Sequence, residues 1–270
     1  MKIKRDGIIT YTDENNAVYE ASINKFTSEI KSELQQYKLQ KLCIDSSDCI
    51  DDFSAIAKMT SLTNICIRSD YKIFDVSFAN ELRNLKSFYS GKFTGNLCNK
   101  SINHVGYTWH KKSDISQCLN IESISISNCS DMNLFISQIS KLKKLTKLDF
   151  FRISNSSFSE ANVETTVEEL EFSYCPKLMN LNGLSSNFPH TTKLKLDHCK
   201  NIQNYSPIAK LKSLQSLVLV ESAPIADLSF LKEMENLSEV RIGKTKITAE
   251  NVEILNEIPA KVDLLFTGIK

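Results

Sequence analysis

Apolar side chains recur in a short frame that fills its first, fourth and sixth positions. It is cleanest at Leu214, Leu217 and Leu219 and at Leu237, Val240 and Ile242. The same frame stands at Leu39/Leu42/Ile44, Leu62/Ile65/Ile67, Ile121/Ile124/Ile126, Leu145/Leu148/Phe150, Val167/Leu170/Phe172 and Thr191/Leu194/Leu196. Weaker copies start at Leu85 and Ile102, and a last one ends in Val262 and Leu264. From first position to first position the steps are 23, 23, 17, 19, 24, 22, 24, 23 and 23 residues. Self-similarity at such a period is the signature of stacked repeats. Inside each frame the side chains alternate as in a strand, with positions four and six turned inward and three, five and seven outward. One repeat cannot bury its own apolar stripe, but stacked neighbours bury one another's. The pattern predicts an α/β solenoid with a parallel sheet over residues 39–270, of about ten repeats and a terminal strand.

The segments between frames fit this picture. Ser54, Ser77, Ser206 and Ser229 each follow an apolar residue by four and precede an apolar run, as does Asn182 after Leu178, while Ser137 is displaced by one. Ser or Asn at such a point predicts the N-cap of a short helical turn, and Pro207 suits a first helical position. The steps of 17 and 19 residues around 85–120 are too short for a full helical turn and predict a distorted side there. Residues 1–38 lie outside the repeats. Gly7–Thr12 and Ala17–Ala21 read as a hairpin, and Asn24 to Tyr37, with Phe26, Ile30, Leu34 and Tyr37 at helical spacing, reads as a helix. Together they are expected to cap the exposed edge of the first repeat.

Eight cysteines are present without a C-x-x-C pair, and four histidines are scattered. With no apolar run after the basic start, a secretory signal is not expected, and the thiols read as reduced in a cytoplasm. The ninth frame position holds Cys129, Cys175 and Cys199, and Ser47, Asp70, Ser222 or Thr245 elsewhere, which predicts a buried donor to the turn after the strand. Cys43 and Cys66 differ: both occupy position five, side by side on the outward face. No nucleophile elbow, phosphate loop, zinc-protease motif or dinucleotide loop occurs. Asp51-Asp52 and Glu168-Glu169 are adjacent acids whose side chains diverge on a strand, and His198-Cys199 is divided between edge and interior by the frame.

These residues resemble the leucine-rich-repeat superfamily in its 22–24-residue form, most clearly from Cys175 to Thr245. Ile225-Ala-Asp-Leu228-Ser-Phe-Leu231 is similar to the short-helix segments of internalin-like and phosphatase-regulator-like repeats. The resemblance implies a concave parallel sheet, short helices on the convex side, and a non-catalytic protein-interaction role for the concave face. It extends to bacterial immunity proteins that neutralise a cognate toxin, which implies a cytoplasmic inhibitor. An adaptor or host-directed effector scaffold is the second reading. A cysteine-dependent enzyme or metal protein built on Cys43 and Cys66 is the third.

Charge and aromatic placement sharpen the expected surface. The chain carries 33 basic and 32 acidic residues, for a net charge of +1. The outward positions three, five and seven carry interleaved charges of both signs, including Lys147, Asp149, Glu171 and Lys195. This disfavours a nucleic-acid backbone, which wants one sign, and suits a protein of matching pattern. No stretch is long and apolar enough for a membrane helix. Position eight reads Lys92, Trp109, Asn128, Arg152, Tyr174, His198, Glu221 and Lys244 in successive repeats. With Tyr89 at position five and Phe151 at position seven, this stripe predicts a partner-binding edge of Tyr89, Trp109, Phe151, Arg152, Tyr174 and His198. Trp109 is equally readable as a cover for its shortened repeat. No cofactor or metal is expected. If Leu265 and Phe266 on the last strand are uncovered, that edge favours self-association.

Overall fold

The computed structural model describes residues 1–45, 52–68, 72–159 and 164–268. Ser47, Cys49, Ile50, Asp51 and Asp70, used above, lie outside the described residues. The chain forms two compact units, Met1–Glu122 and Ser123–Lys270.

The first unit opens with three antiparallel strands, β1 (Lys2–Arg5), β2 (Ile8–Thr12) and β3 (Val18–Ile23). The β2–β3 hairpin is the expected one. β1 had no signal, because Lys2-Ile3-Lys4-Arg5 is charged and mostly exposed. Gly7 turns the chain between β1 and β2 at φ +80°, where a Cβ would stand 2.9 Å from Ile30 Cδ1. Helix α1 (Ser28–Gln35) is shorter than Asn24–Tyr37; Thr27 Oγ1 caps it by accepting from Ile30 N, and Ile30 and Leu34 are buried. β3 then pairs in parallel with β4 (Lys41–Ile44), and the sheet continues through β5 (Asn64–Ile67) to two further strands, Ser87–Ser90 and His104–Thr108. The frames align without slippage, Leu42 beside Ile65, Ile65 beside Phe88, Phe88 beside Val105.

The short steps are accommodated by extended chain. β6 (Phe74–Asp75), β8 (Phe93–Asn96) and β10 (Ser113–Asp114) form a second, three-stranded parallel sheet, while the strands just described are β7 and β9. A strand advances about 3.3 Å per residue against 1.5 Å in a helix, so fewer residues span the same repeat. Only α2 (Ser54–Ala57) and a 3-10 turn at Ser77–Glu81 are helical among the described connections of these repeats. Phe53, Phe74, Phe78, Phe88, Phe93 and Tyr107 fill the space between the two sheets as a chain of ring contacts with centroids 4.7–6.4 Å apart.

The second unit is more regular. β11 (Ser123–Ser127), β12 (Lys147–Phe151), β13 (Glu169–Ser173), β14 (Lys193–Asp197), β15 (Ser216–Val220), β16 (Glu239–Gly243) and β17 (Lys261–Leu265) lie in chain order, all parallel. Residues at equal frame positions face each other across every pair, as in Leu148–Leu170–Leu194–Leu217–Val240. Returning segments carry α3 (Met132–Ile139), α4 (Leu184–Asn187), 3-10 turns at Ser206–Lys210 and Ser229–Glu233, and α5 (Ala249–Glu257). At the last strand Leu264, Leu265 and Phe266 are exposed, Phe266 at 88 %.

The expected Ser caps need correction. Ser54, Ser77, Ser206 and Ser229 open their helical turns rather than cap them. The accepting group stands two residues earlier: Asp52, Asp75, Asn204 and Asp227 each take the Ser backbone N–H at 2.7–2.9 Å, and Asn180 takes that of Asn182. A carboxylate or amide oxygen reaches an N–H two residues on more readily than a serine hydroxyl does. Likewise Asp131, not Ser137, caps α3, accepting from Leu134 N at 3.0 Å.

The ninth-position residues described are buried as expected, but their side chains donate to carbonyls of the strands rather than to the turn that follows. Ser222 Oγ reaches the carbonyls of Leu196 (3.1 Å) and Val220 (3.0 Å) and accepts from Cys199 N. Thr245 Oγ1 donates to Gly243 O and accepts from Ser222 N. Cys199 and Cys175 occupy the same rung with longer sulfur contacts, to Phe172 and Asp197 and to Phe150 and Ser173 respectively. We expect Ser222→Ala to cost about 1–3 kcal/mol in urea unfolding, because it orphans buried backbone groups. Ser222→Cys should cost less than half of that, since a thiol fills the rung one repeat earlier; equal losses would refute a hydrogen-bonding role for the rung.

Candidate functional site

The candidate site lies wholly in the second unit, on the open face of β12–β15 and the rim that follows them. The rim is set by backbone conformation. Asn128, Arg152, Tyr174, His198, Glu221, Lys244 and Phe266, the eighth residue of each repeat in this unit, all have positive φ, between 45° and 55°. A non-glycine residue there costs roughly 1 kcal/mol or more. The return is a backbone bond: Asn128, Arg152, Tyr174, His198, Glu221 and Lys244 donate their N–H to the seventh residue of the next repeat at 2.8–3.1 Å. An unpaired N–H would cost a similar or larger amount, about 1–3 kcal/mol, so the left-handed turn wins. It also throws the eighth side chain outward while the ninth turns in.

These outward side chains touch one another. Arg152 lies over the Phe151 ring at 5.0 Å, Phe151 meets Tyr174 edge-on at 5.7 Å, and Tyr174 stacks on His198 with centroids 4.1 Å apart at 17°. His198 is clamped at both ends: Nδ1 stands 2.5 Å from Asp197 Oδ1 and Nε2 2.9 Å from Glu221 Oε2. Lys244 closes the row 2.9 Å from Glu221, whose carboxyl it holds below its usual value.

Beside the rim, Lys147, Asp149, Glu169, Glu171, Lys193 and Lys195 surround a shallow depression of about 170 Å³ floored by Leu170 and Leu194. Its charges pair across strands. Lys193 meets Glu169 at 2.6 Å, and Lys195 meets Glu171 at 2.9 Å and Asp197 at 3.3 Å. Asp149 is the exception, because it directly faces another acid, Glu171. Burial pushes the Asp149 carboxyl above its usual value; Lys147 and a bond from Ser125 (3.1 Å) oppose this, and Glu171 and Glu169 add to it.

Of the expected partner-binding residues, Lys147, Asp149, Phe151, Arg152, Glu171, Tyr174, Lys195 and His198 fall in this one area. Tyr89 is exposed at 45 % but belongs to the first unit, where its ring lies on Gly106 so closely that a Cβ there would collide with Tyr89 Cδ1. Trp109 was expected on an exposed edge, and it is not there: it is 4 % exposed. Its repeat is one of the short ones, and neither Lys92 nor Trp109 has the positive φ that turns the eighth side chain outward. The chain instead runs on toward β10 with the indole inside, covering its shortened repeat. Sequence reasoning left Asp197 and Glu221 out of the site, although their places, seven and eight in adjacent frames, are those that flank an eighth-position His198.

His198 and Cys199 do not form a nucleophile and base. The Cys199 thiol is fully buried and bonds carbonyls, while both His198 nitrogens are occupied by acids. Among the described residues no group of three or more His, Cys, Asp or Glu could hold a metal ion. No described helix is long and apolar enough to cross a membrane.

No protein-family model matches the chain, and no curated protein does. Solved structures do. An internalin of Listeria monocytogenes aligns over 92 % of this chain and 73 % of its own, with a TM-score of 0.53 at 15 % identity. The fold is a leucine-rich-repeat fold. Internalin C2 of the same bacterium covers 74 % of this chain and 77 % of its own at a TM-score of 0.38 and 15 % identity. The leucine-rich-repeat ectodomain of the plant membrane receptor kinase GASSHO1/SCHENGEN3 from Arabidopsis thaliana covers 93 % of this chain and 34 % of its own, at a TM-score of 0.41 and 12 % identity.

Asp149 supplies a test of the site's electrostatics. A carboxyl raised in the folded state makes the fold bind its proton more readily, so stability falls as pH rises through that range. Asp149→Asn should therefore raise Tm at neutral pH, by about 1–3 °C, and the gain should vanish below about pH 4, where the native acid is protonated in both states. A lower Tm at neutral pH would show that the carboxylate stabilises the fold.

Proposed function

We propose that this protein binds another protein through the rim of Phe151, Arg152, Tyr174 and His198 and the charged depression beside it, as a dedicated inhibitor of the toxin-neutralising kind. The observation that carries the reading is the rim itself. Aromatic and arginine side chains are the residues that dominate protein interfaces, and these are already held by one another. Stacking on His198 and the Arg152–Phe151 contact remove side-chain freedom before a partner arrives, so less entropy is lost on binding. Such a surface favours one well-matched partner over several loose ones. The depression adds selectivity. Its alternating Lys and Glu rows match a partner with the opposite pattern and repel one with a single sign. A partner cation placed over Asp149 would relieve the like-charge contact it makes with Glu171 across the strands.

The test is capture of partners on the tagged wild-type chain, followed by titration of the captured protein. The triple variant Phe151→Ala, Arg152→Ala, Tyr174→Ala should raise Kd at least about tenfold, while Glu235→Ala, on a returning segment, should leave it unchanged. Raised salt should slow association more than it speeds dissociation. Equal Kd for wild type and triple variant would move the interface elsewhere. Several partners of moderate affinity would favour an adaptor over an inhibitor.

A further inference from the structure

The first unit carries a second arrangement that the rim does not use. Cys43 on β4 and Cys66 on β5 are directly opposite each other in the parallel ladder, in a row that reads Ser22, Cys43, Cys66, Tyr89. Both occupy frame position five, so both side chains leave the same face, and both are half-buried rather than sealed. Adjacent strands lie about 4.8 Å apart, inside the Cα separation of roughly 4.4–6.8 Å that a disulfide spans. The two thiols are within hydrogen-bonding reach of each other, and the Arg68 guanidinium is within reach of the Cys66 sulfur. Asp45 completes the cluster, 3.8 Å from Arg68 and 3.9 Å from the Cys43 sulfur.

The two thiols are unequal. Donation from the Cys43 S–H, and then Arg68, draw the Cys66 thiol below the usual thiol range, against the effect of burial. The same bond, with burial, pushes Cys43 up. The other described thiol pair is sealed: Cys199 bonds Cys175 and draws it down, but both are fully buried, and Cys118 and Cys129, each pushed up to about 12 by burial, lie in the core as well. Cys98 is exposed.

We propose that Cys43 and Cys66 form a hydroperoxide-sensitive dithiol that closes to a disulfide joining β4 and β5. The Cys66 thiolate attacks one oxygen of hydrogen peroxide; an S–O bond forms, the O–O bond breaks, and hydroxide leaves, taking up the proton that Cys66 had lost. The Cys43 sulfur then attacks the Cys66 sulfenic sulfur. The S–S bond forms, the S–O bond breaks, and hydroxide departs with the Cys43 proton as water. Two thiols lose two electrons, and one peroxide becomes two waters. A low-molecular-weight thiol reverses the step by exchange.

The experiment uses the full reduced chain and hydrogen peroxide near neutral pH, read by intact mass and peptide mapping. The expected product has lost two hydrogens and contains a Cys43–Cys66 linked peptide, with Cys98 still free. In the unoxidised wild type, iodoacetamide should label Cys66 about tenfold faster than Cys98 below neutral pH. Cys43→Ser should stop at a sulfenic acid on Cys66 that a cyclic dione traps, and Cys66→Ser should leave Cys43 unoxidised. The labelling and linkage are read on the wild type, so a variant that fails to fold does not spoil the test. Labelling of Cys66 no faster than Cys98, or any wild-type product other than the Cys43–Cys66 link, overturns the proposal.

Discussion

The backbone bond from the eighth residue of one repeat to the seventh of the next is the constraint on which the second unit depends. It requires a left-handed turn at a residue that is never glycine here, and it recurs from Asn128 to Lys244. That turn ends the strand, sends the ninth side chain into the stack to meet carbonyls of its own and the preceding repeat, and leaves the eighth side chain outside. Core ladder and surface rim are two consequences of one conformational choice. Glycine would take the turn with less strain. Arg, Tyr, His and Lys occupy it instead, so the strain is accepted and a large polar or aromatic side chain is placed on the surface.

The same division runs through the open face. Lys193 with Glu169 and Lys195 with Glu171 are cross-strand pairs that a sheet welcomes. Asp149 beside Glu171 is a pair that a sheet resists. Exposed ion pairs contribute little, commonly under about 1 kcal/mol each, so the apolar stripe at positions one, four and six holds the stack together. The charged rows are therefore free to vary without loss of fold. A local rule broken on such a surface is best explained by what the surface meets.

Much of the architecture was legible in the sequence because the repeat fixes phase. Once Leu217 and Leu219 are placed inside, every outward position follows, and the rows Leu148–Leu170–Leu194 and Asp149–Glu171–Lys195 are read off directly. The departures share one cause, which is local geometry that hydrophobic period does not encode. β6 and β10 are two residues long, too short to show alternation. Ser54, Ser206 and Ser229 marked the helical turns correctly, but the accepting oxygens belong to Asp52, Asn204 and Asp227. Trp109 was misplaced because the frame was extended into a repeat that lacks the left-handed turn. Its inward position depends on φ, and one residue's φ is not written in the spacing of leucines.

Steps of 17 and 19 residues would have been the warning. A repeat that loses four to six residues cannot keep both its helical turn and its strand-ending turn, and extended chain is the economical replacement. Extension removes the outward throw of position eight and, with it, the rim. The short repeats, at Lys92 and Trp109, therefore lack the edge that the second unit presents. On the open face of the first unit, position five brings Cys43, Cys66 and Tyr89 into register. Whether a repeat is long enough to turn thus decides whether its eighth side chain is thrown outward, as the contrast between Trp109 and Tyr174 shows.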